Sequence, residues 1–311
     1  MRILITGGAG YIGSVLCDKL LRIGHEVICV DNLFFQQTPN ANLFHNTKFT
    51  FIREDVQNTD VINKIALTCD VIIPLAALVG APICSQNPIL ARETNLISIK
   101  KLIDNLSKDQ LVIMPITNSG YGVGSDNKIC TEDTPLNPIS IYGKDKVELE
   151  KYISDNKENF VSFRLATVFG CSPRMRTDLL VNDFVYRAKM DGFLVLFEHK
   201  FIRNYIHVHD VCNAFIYSLS HWDGFKNQIF NLGLSNANIS KLELAERIKK
   251  QLPNLTIIKE EFTKDPDQRN YIVSNEKIEK LGFKNEFSID KGINELIKFY
   301  STLPRGRFSN V

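Results

Sequence analysis

Apolar residues come in short, nearly unbroken runs through the first half of the chain, at 3–6, 27–30, 49–52, 71–75 and 111–116. Strands of that kind are buried on both faces, as in a parallel sheet covered by helices. The segments between them are longer, and those at 11–23 and 88–106 carry apolar positions at helical spacing. Alternation of strand and helix implies right-handed crossovers and an α/β fold, a Rossmann-type doubly wound parallel sheet. From about residue 179 the pattern loosens into helix, short strand and loop, through mixed text such as EHKFIRNYIHVHD. The expected organisation is a Rossmann domain over 1–178, a segment at about 203–233 that returns to it, and a smaller mixed α/β lobe over most of 179–311. The polar text from 301 onward is expected to be extended.

One stretch departs from the simple alternation: RILITGGAGYIGSVL, where glycines follow the first apolar run directly. Gly8, Gly10 and Gly13 fit G-x-G-x-x-G, and Gly7, Gly10 and Gly13 fit the variant T-G-x-x-G-x-x-G. Such glycines permit a tight turn, close approach of backbone to a pyrophosphate, and close packing of helix on strand. The helix that follows presents its free N–H groups and positive dipole end to the phosphates. The next apolar run ends in VICVDN, so Asp31 stands where an acidic side chain accepts hydrogen bonds from an adenosine ribose. No lysine or arginine follows at once to pair with a 2′-phosphate, which favours NAD over NADP.

Composition narrows the classes further. With 311 residues, 44% of them hydrophobic, the chain can bury one large core and a smaller lobe. A net charge of +2 with scattered basic residues gives no electrostatic case for nucleic acid. No apolar run approaches the roughly 20 residues that cross a bilayer, and the first residues enter a strand pattern without a leader-like region. The seven cysteines are an odd number, widely spaced and never in a C-x-x-C pair, which argues against zinc and disulfides and for a reducing, cytoplasmic setting. His207 and His209 alternate on a strand pattern and so face one way, but no carboxylate-rich partner motif supports a metal pair. Structural hydrogen bonding is the expectation there.

The chemistry is concentrated in SIYGKDKVELEKY, which sets Tyr142 and Lys146 four apart at the start of a predicted helix. They project from one face, and a cation beside a phenol favours the phenolate, the form that can act as a general base.

These features together resemble the extended short-chain dehydrogenases/reductases, the nucleotide-sugar epimerases and dehydratases. The resemblance spans about residues 1–300 and rests on TGGAGYIG, Asp31, REDV, PLAALVG, Asn95, TNSGYG, YGKDK, FRLATVFG and RNYIHVHDV. It implies a cofactor site of Gly7, Gly10, Tyr11, Ile12, Gly13, Asp31, Asn32 and Asn95, with Asp55 and Val56 flanking the adenine and Leu75, Ala76 and Ala77 running under the dinucleotide. It makes Thr117 the hydroxyl that bonds the reacting sugar oxygen, Tyr142 the base, and Lys146 the residue that orients the nicotinamide ribose and lowers the tyrosine pKa. Pro74 departs from the family's usual histidine. The family's 4,6-dehydratases carry Asp-Glu after that threonine, whereas Asn118 and Ser119 stand here, so elimination of water lacks an acid/base pair.

Substrate is expected between the sheet edge and the second lobe, against Thr117, Asn118 and Ser119 and near Arg174, Asn182, Arg203 and Arg269. Guanidinium groups suit a diphosphate because they offer paired, fixed donors. The stripe Leu179, Leu180 and Phe184 is expected in the core. Within the family, TNSGYG, PRMRTDLLVNDFVYRA and DQRNY are most similar to the GDP-D-glycero-D-manno-heptose 4-dehydrogenase type of bacterial capsule biosynthesis. That implies NAD-dependent oxidation of a GDP-linked heptose at C4, with a 2-oxo acid as a candidate second hydride acceptor. Two alternatives stand beside it: a UDP- or GDP-sugar C4-epimerase using the same transient ketone, and a non-catalytic NAD-binding redox sensor. The family implies a homodimer or homotetramer, through helices such as 88–106 and 142–154.

Overall fold

The computed structural model describes residues 1–122, 129–260 and 270–303. Each of the five apolar runs is a strand: Arg2–Thr6, Glu26–Asp31, Phe49–Arg53, Val71–Pro74 and Leu111–Thr117. Phe160–Leu165 and Gln228–Leu232 complete a seven-stranded sheet in which every pairing is parallel. Arg2–Thr6 lies between Glu26–Asp31 and Val71–Pro74, so the strand order reverses direction beside it. Ligands of open α/β sheets bind at such a switch point, outside the carboxyl ends of the strands. Thr6, Asp31, Pro74 and Thr117 are the last residues of their strands, which brings their successors to one edge.

Helices cover the sheet because each has one apolar face. Tyr11–Arg22 buries Val15, Leu16 and Leu20 and packs against Val208–Ser220, while Ile141–Asn156 buries Leu149 and Ile153 against Ser98–Asp104. The helix expected over 88–106 is interrupted. Pro88–Arg92 and Ser98–Asp104 flank a π-helical turn at Glu93–Ile97, and that turn carries Asn95. Such turns frequently mark functional sites because they redirect side chains within an otherwise regular helix.

The second half is mixed. Thr167–Phe169, Ile202–His207 and Asn238–Ser240 form a three-stranded sheet, and Phe193–Phe197 pairs with Thr256–Glu260. Of the strands within 203–233, Gln228–Leu232 therefore joins the large sheet and Ile202–His207 does not. The histidine reading also changes. His207 ends its strand, whereas His209 lies in the first turn of Val208–Ser220, yet their rings remain stacked with centroids 5.5 Å apart. Buried His207 shares a 2.7 Å hydrogen bond between its Nε2 and Glu295, and its Nδ1 accepts from the His209 amide. Nδ1 as acceptor leaves the proton on Nε2, the structural role expected of it. Ser301 and Thr302 belong to the Ile289–Thr302 helix instead of an extended tail.

Candidate active site

A cleft of about 710 Å³ opens at the carboxyl edge of the sheet. Its floor is the turn after the first strand. Gly7 has φ +70°, and a Cβ there would stand 2.5 Å from the Ala76 amide nitrogen. A Cβ on Gly13 would stand 2.4 Å from the Gly7 carbonyl oxygen. Both distances forbid a side chain, so the turn can only be this flat with glycine. The helix that starts at Tyr11 has no side-chain cap and no acidic residue in its first turn. Its N–H groups and positive end are left to a ligand, and an anion suits them best.

Around this floor the expected cofactor residues assemble. Gly7, Gly10, Tyr11, Ile12, Gly13, Asp31, Asn32, Asp55, Val56, Leu75, Ala76 and Ala77 all line the cleft. Asp31 accepts from the Ala9 amide at 3.0 Å and the Leu33 amide at 2.8 Å, which fixes its carboxylate at the strand end. Burial raises its pKa, and those two amides oppose the rise. Asn32 donates to Asp55 at 2.8 Å, tying the ends of two adjacent strands together. The Tyr11 ring lines the cleft, but its hydroxyl is committed to the Gly170 carbonyl at 2.6 Å.

At the other end lie Thr117, Ser119, Tyr142 and Lys146. Thr117 closes its strand and caps the turn that follows, accepting from the Ser119 amide at 3.1 Å, with the two hydroxyls 2.9 Å apart. Tyr142 sits in the first turn of Ile141–Asn156, a helix fixed by Ser140, whose hydroxyl accepts from the Gly143 amide at 3.0 Å. One turn on, Lys146 is buried and donates to the Pro115 carbonyl at 3.3 Å. Burial pulls its pKa down to about 8, against the opposing pull of Cys84 and Asp145. Below that pH the site holds a buried cation one helical turn from the phenol. A hydroxyl, a phenol and an ammonium beside a dinucleotide cradle form a device for taking the proton off an alcohol's hydroxyl while a hydride leaves its carbon.

A family model described as the NAD dependent epimerase/dehydratase family matches residues 3–233. The chain belongs to that family. Among relatives, it is similar to the UDP-glucose 4-epimerase of Lactobacillus helveticus, 27% identical over 98% of this chain and 99% of that protein. It is similar too to UDP-glucuronic acid decarboxylase 1 of Arabidopsis thaliana, 30% identical over 96% of this chain and 69% of that protein. Among solved structures, a UDP-glucose 4-epimerase with UDP-glucose from Thermotoga maritima matches with a TM-score of 0.83 and 25% identity, over 97% of this chain and 99% of the other. The cofactor of this epimerase/dehydratase family is NAD, and the uncapped helix end, the glycine turn and Asp31 fit it.

Three expected residues are not where the sequence reading put them. Asn95 is buried outside the cleft, where its side chain grips Leu78: it donates to the carbonyl at 2.9 Å and accepts from the amide at 2.8 Å. It shapes the loop that follows Ala76 and Ala77. Asn182 is fully buried, accepting from the Gly170 amide at 3.0 Å and donating to the Tyr11 hydroxyl at 3.2 Å and the Arg176 carbonyl at 2.8 Å. Those partners occupy its amide, so its side chain braces the 170–176 loop. Asn118 is also buried outside the cleft lining, its amide atoms without partners among the described residues. Ser119, its neighbour, does line the cleft.

Arg174 and Arg203 line the cleft as expected, whereas Arg269 lies outside the described residues. Leu179 and Leu180 border the cleft, and Phe184 is in the core. The sequence reading missed Phe35, whose ring takes the Arg174 guanidinium at 4.5 Å, and Lys241, a buried cation at the lining. Two adjacent phenylalanines in the otherwise polar text after Asp31 were the available signal for Phe35. Lys241 sits beneath a capping box, Ser240 with Glu243, and nothing in that pattern distinguishes it from an ordinary helix start. Among the described residues no group of three His, Cys, Asp or Glu could hold a metal, and no helix is long and apolar enough to cross a membrane.

Proposed function

We propose that this enzyme inverts C4 of a UDP-linked hexose through a transient 4-keto sugar. The observation that carries the reading is that Thr117, Tyr142 and Lys146 share one cleft with the glycine turn. NAD, held by the glycine turn and Asp31, would supply the hydride acceptor for C4 and the hydride for its return. Thr117 holds the C4 hydroxyl by its own hydroxyl, orienting the O–H toward Tyr142. Tyr142, as the phenolate, takes that proton. Lys146 keeps the phenolate accessible by its charge, which is worth most in a dry site. On return, the same phenol gives its proton back to O4.

Several readings compete. Oxidation of a GDP-linked heptose with release of the ketone uses the same residues, with a 2-oxo acid reoxidising the cofactor. The UDP-glucose 4-epimerases among the relatives support the epimerase instead. The pairing of Asn118 with Ser119 disfavours dehydration, since neither group titrates near neutral pH. A purely binding role leaves the phenol and ammonium at the cleft without a task.

The test is a panel of UDP- and GDP-linked hexoses and GDP-heptose, each incubated with enzyme with and without a 2-oxo acid. An isomer of unchanged mass from a UDP-hexose is expected. A product lighter by two hydrogens from GDP-heptose would restore the dehydrogenase reading, and one lighter by a water would overturn the argument from Asn118 and Ser119.

A further inference from the structure

Among the described residues three arginines line the cleft, and they are not equivalent. Arg176 pairs with Asp178 at 2.5 Å, and Arg203 is engaged within the protein. Arg174 is 3% exposed, and its buried Nη2 has no hydrogen-bond partner among the described residues. Its one close partner is a ring face, that of Phe35. A buried guanidinium nitrogen without a hydrogen bond is costly, and a ligand acceptor at that nitrogen would remove the cost. Burial and the like charge of Arg176 lower the Arg174 pKa to about 10, with Asp178 and Asp31 offsetting part of the fall. Within the protein the charge is met by nearby carboxylates and a ring face, while its buried Nη2 keeps a donor to spare.

Its place in the fold decides which ligand. Ser172 donates to the Tyr11 carbonyl at 2.7 Å and meets the Ser14 hydroxyl at 3.0 Å, so the 170–176 loop is pinned to the first turn of Tyr11–Arg22. The Arg174 amide in turn donates to Ser172 at 3.3 Å. On its other side the guanidinium meets Phe35, four residues past Asp31, and feels the Asp31 carboxylate. Arg174 therefore lies between the uncapped helix end and the ribose-binding aspartate, whereas the catalytic phenol is held on a different helix.

We propose that Arg174 is a cofactor residue: its guanidinium pairs with the diphosphate of the dinucleotide, alongside the amides of the glycine turn. The sequence reading had placed it against the sugar nucleotide, which carries a diphosphate too. The fork of donors on a guanidinium matches two phosphate oxygens at once, and the Phe35 ring holds its plane without using those donors. The proposal rests on NAD as cofactor and is independent of which sugar is turned over.

The experiment titrates NAD-free protein with NAD, ADP-ribose, AMP and UDP by calorimetry, for wild type, Arg174→Met and Arg174→Lys. For Arg174→Met the Kd of NAD and of ADP-ribose should rise about ten- to a hundredfold, the effect of losing a charged hydrogen bond. AMP, which lacks the diphosphate, and UDP should bind as they do to wild type. Arg174→Lys should recover part of the loss, because it restores charge without the fork. Ligand-free Arg174→Met should melt no lower than wild type, since it removes a buried guanidinium nitrogen without a hydrogen bond. Unchanged NAD and ADP-ribose affinity overturns the proposal, and so does a loss confined to UDP. A ligand-free Arg174→Met that melts far below wild type, with Arg174→Lys equally unstable, overturns it in favour of a structural role.

Discussion

At one end of the cleft the groups proposed to meet the dinucleotide are backbone amides of a turn only glycine can make, with a single carboxylate set by two further amides. At the other end they are side chains, Thr117, Tyr142 and Lys146, carried on a strand end and a helix well apart in sequence. A backbone site depends on local spacing and resists change, because moving it means refolding a turn. A side-chain site depends on packing between distant elements, and single atoms can be removed from it without moving the scaffold. The two ends should therefore respond to mutation in opposite ways: one through binding and folding together, the other through chemistry alone.

The sharpest test of that contrast is Tyr142→Phe. It deletes one oxygen at the chemical end and leaves the glycine turn untouched. Turnover should fall by about 10²- to 10⁴-fold, the range for losing a general base, while NAD affinity and melting temperature stay near wild type. Steady-state rates beside a cofactor titration read both. A variant that turned over normally would remove the phenol from the role given to it.

Lys146 offers a break in the other direction, because its burial links chemistry to stability. Its pKa is near 8 in the folded protein against an ordinary 10.5. Between those values the unfolded chain binds the extra proton, so stability rises with pH across that window. The gain is on the order of 3 kcal/mol between pH 8 and 10.5. Below pH 8 both states hold the proton and the slope vanishes. Cys84, pushed up to about 11 by burial, opposes the trend in part of the same range. The measurement is thus the difference between wild type and Lys146→Met in denaturant midpoints against pH. A flat difference would place the ammonium in contact with water.

How far the sequence could be read follows the same division. Four of the five early strands were legible because both faces of each are buried, and the fifth, Phe49–Arg53 at the sheet edge, because its apolar residues outnumber the exposed Thr50. The glycine turn and Asp31 were legible because their spacing is itself the geometry. Tyr142 and Lys146 were legible because one helical turn brings them together. Asn95 and Asn182 were assigned to ligands, and the fold turns their side chains to backbone instead: an asparagine that satisfies backbone in a loop looks the same in text as one that faces a cleft. What separates them is the partner, Leu78 in one case and Gly170, Tyr11 and Arg176 in the other, and these lie up to 171 residues away. The π-helical turn at Glu93–Ile97 was invisible for a related reason, since nothing in its composition departs from an ordinary helix.

Asn182→Ala turns that distinction into a measurement. It removes one acceptor and one amide donor from a fully buried site, leaving the Gly170 amide and the Arg176 carbonyl unpaired. Stability should drop by roughly 2–3 kcal/mol, visible as a shifted urea midpoint. The KM for the sugar nucleotide should change little when assayed well below the new melting point. A KM raised tenfold at unchanged stability would return Asn182 to the substrate.

The smallest effect is expected at Asn118, and it probes the border between the two ends. Its neighbours Thr117 and Ser119 line the cleft, yet its own amide is buried with no partner among the described residues. An unpaired buried amide contributes no hydrogen bond and retains its desolvation cost, so an apolar side chain of similar size is neutral or better. Asn118→Leu should therefore change stability by less than about 1 kcal/mol, in either direction, and leave kcat and KM close to wild type. If that amide instead reached the sugar when substrate binds, the leucine would raise KM without touching the melting curve. Thermal melts and initial rates on one preparation distinguish the two outcomes, because only the second moves rate and stability apart.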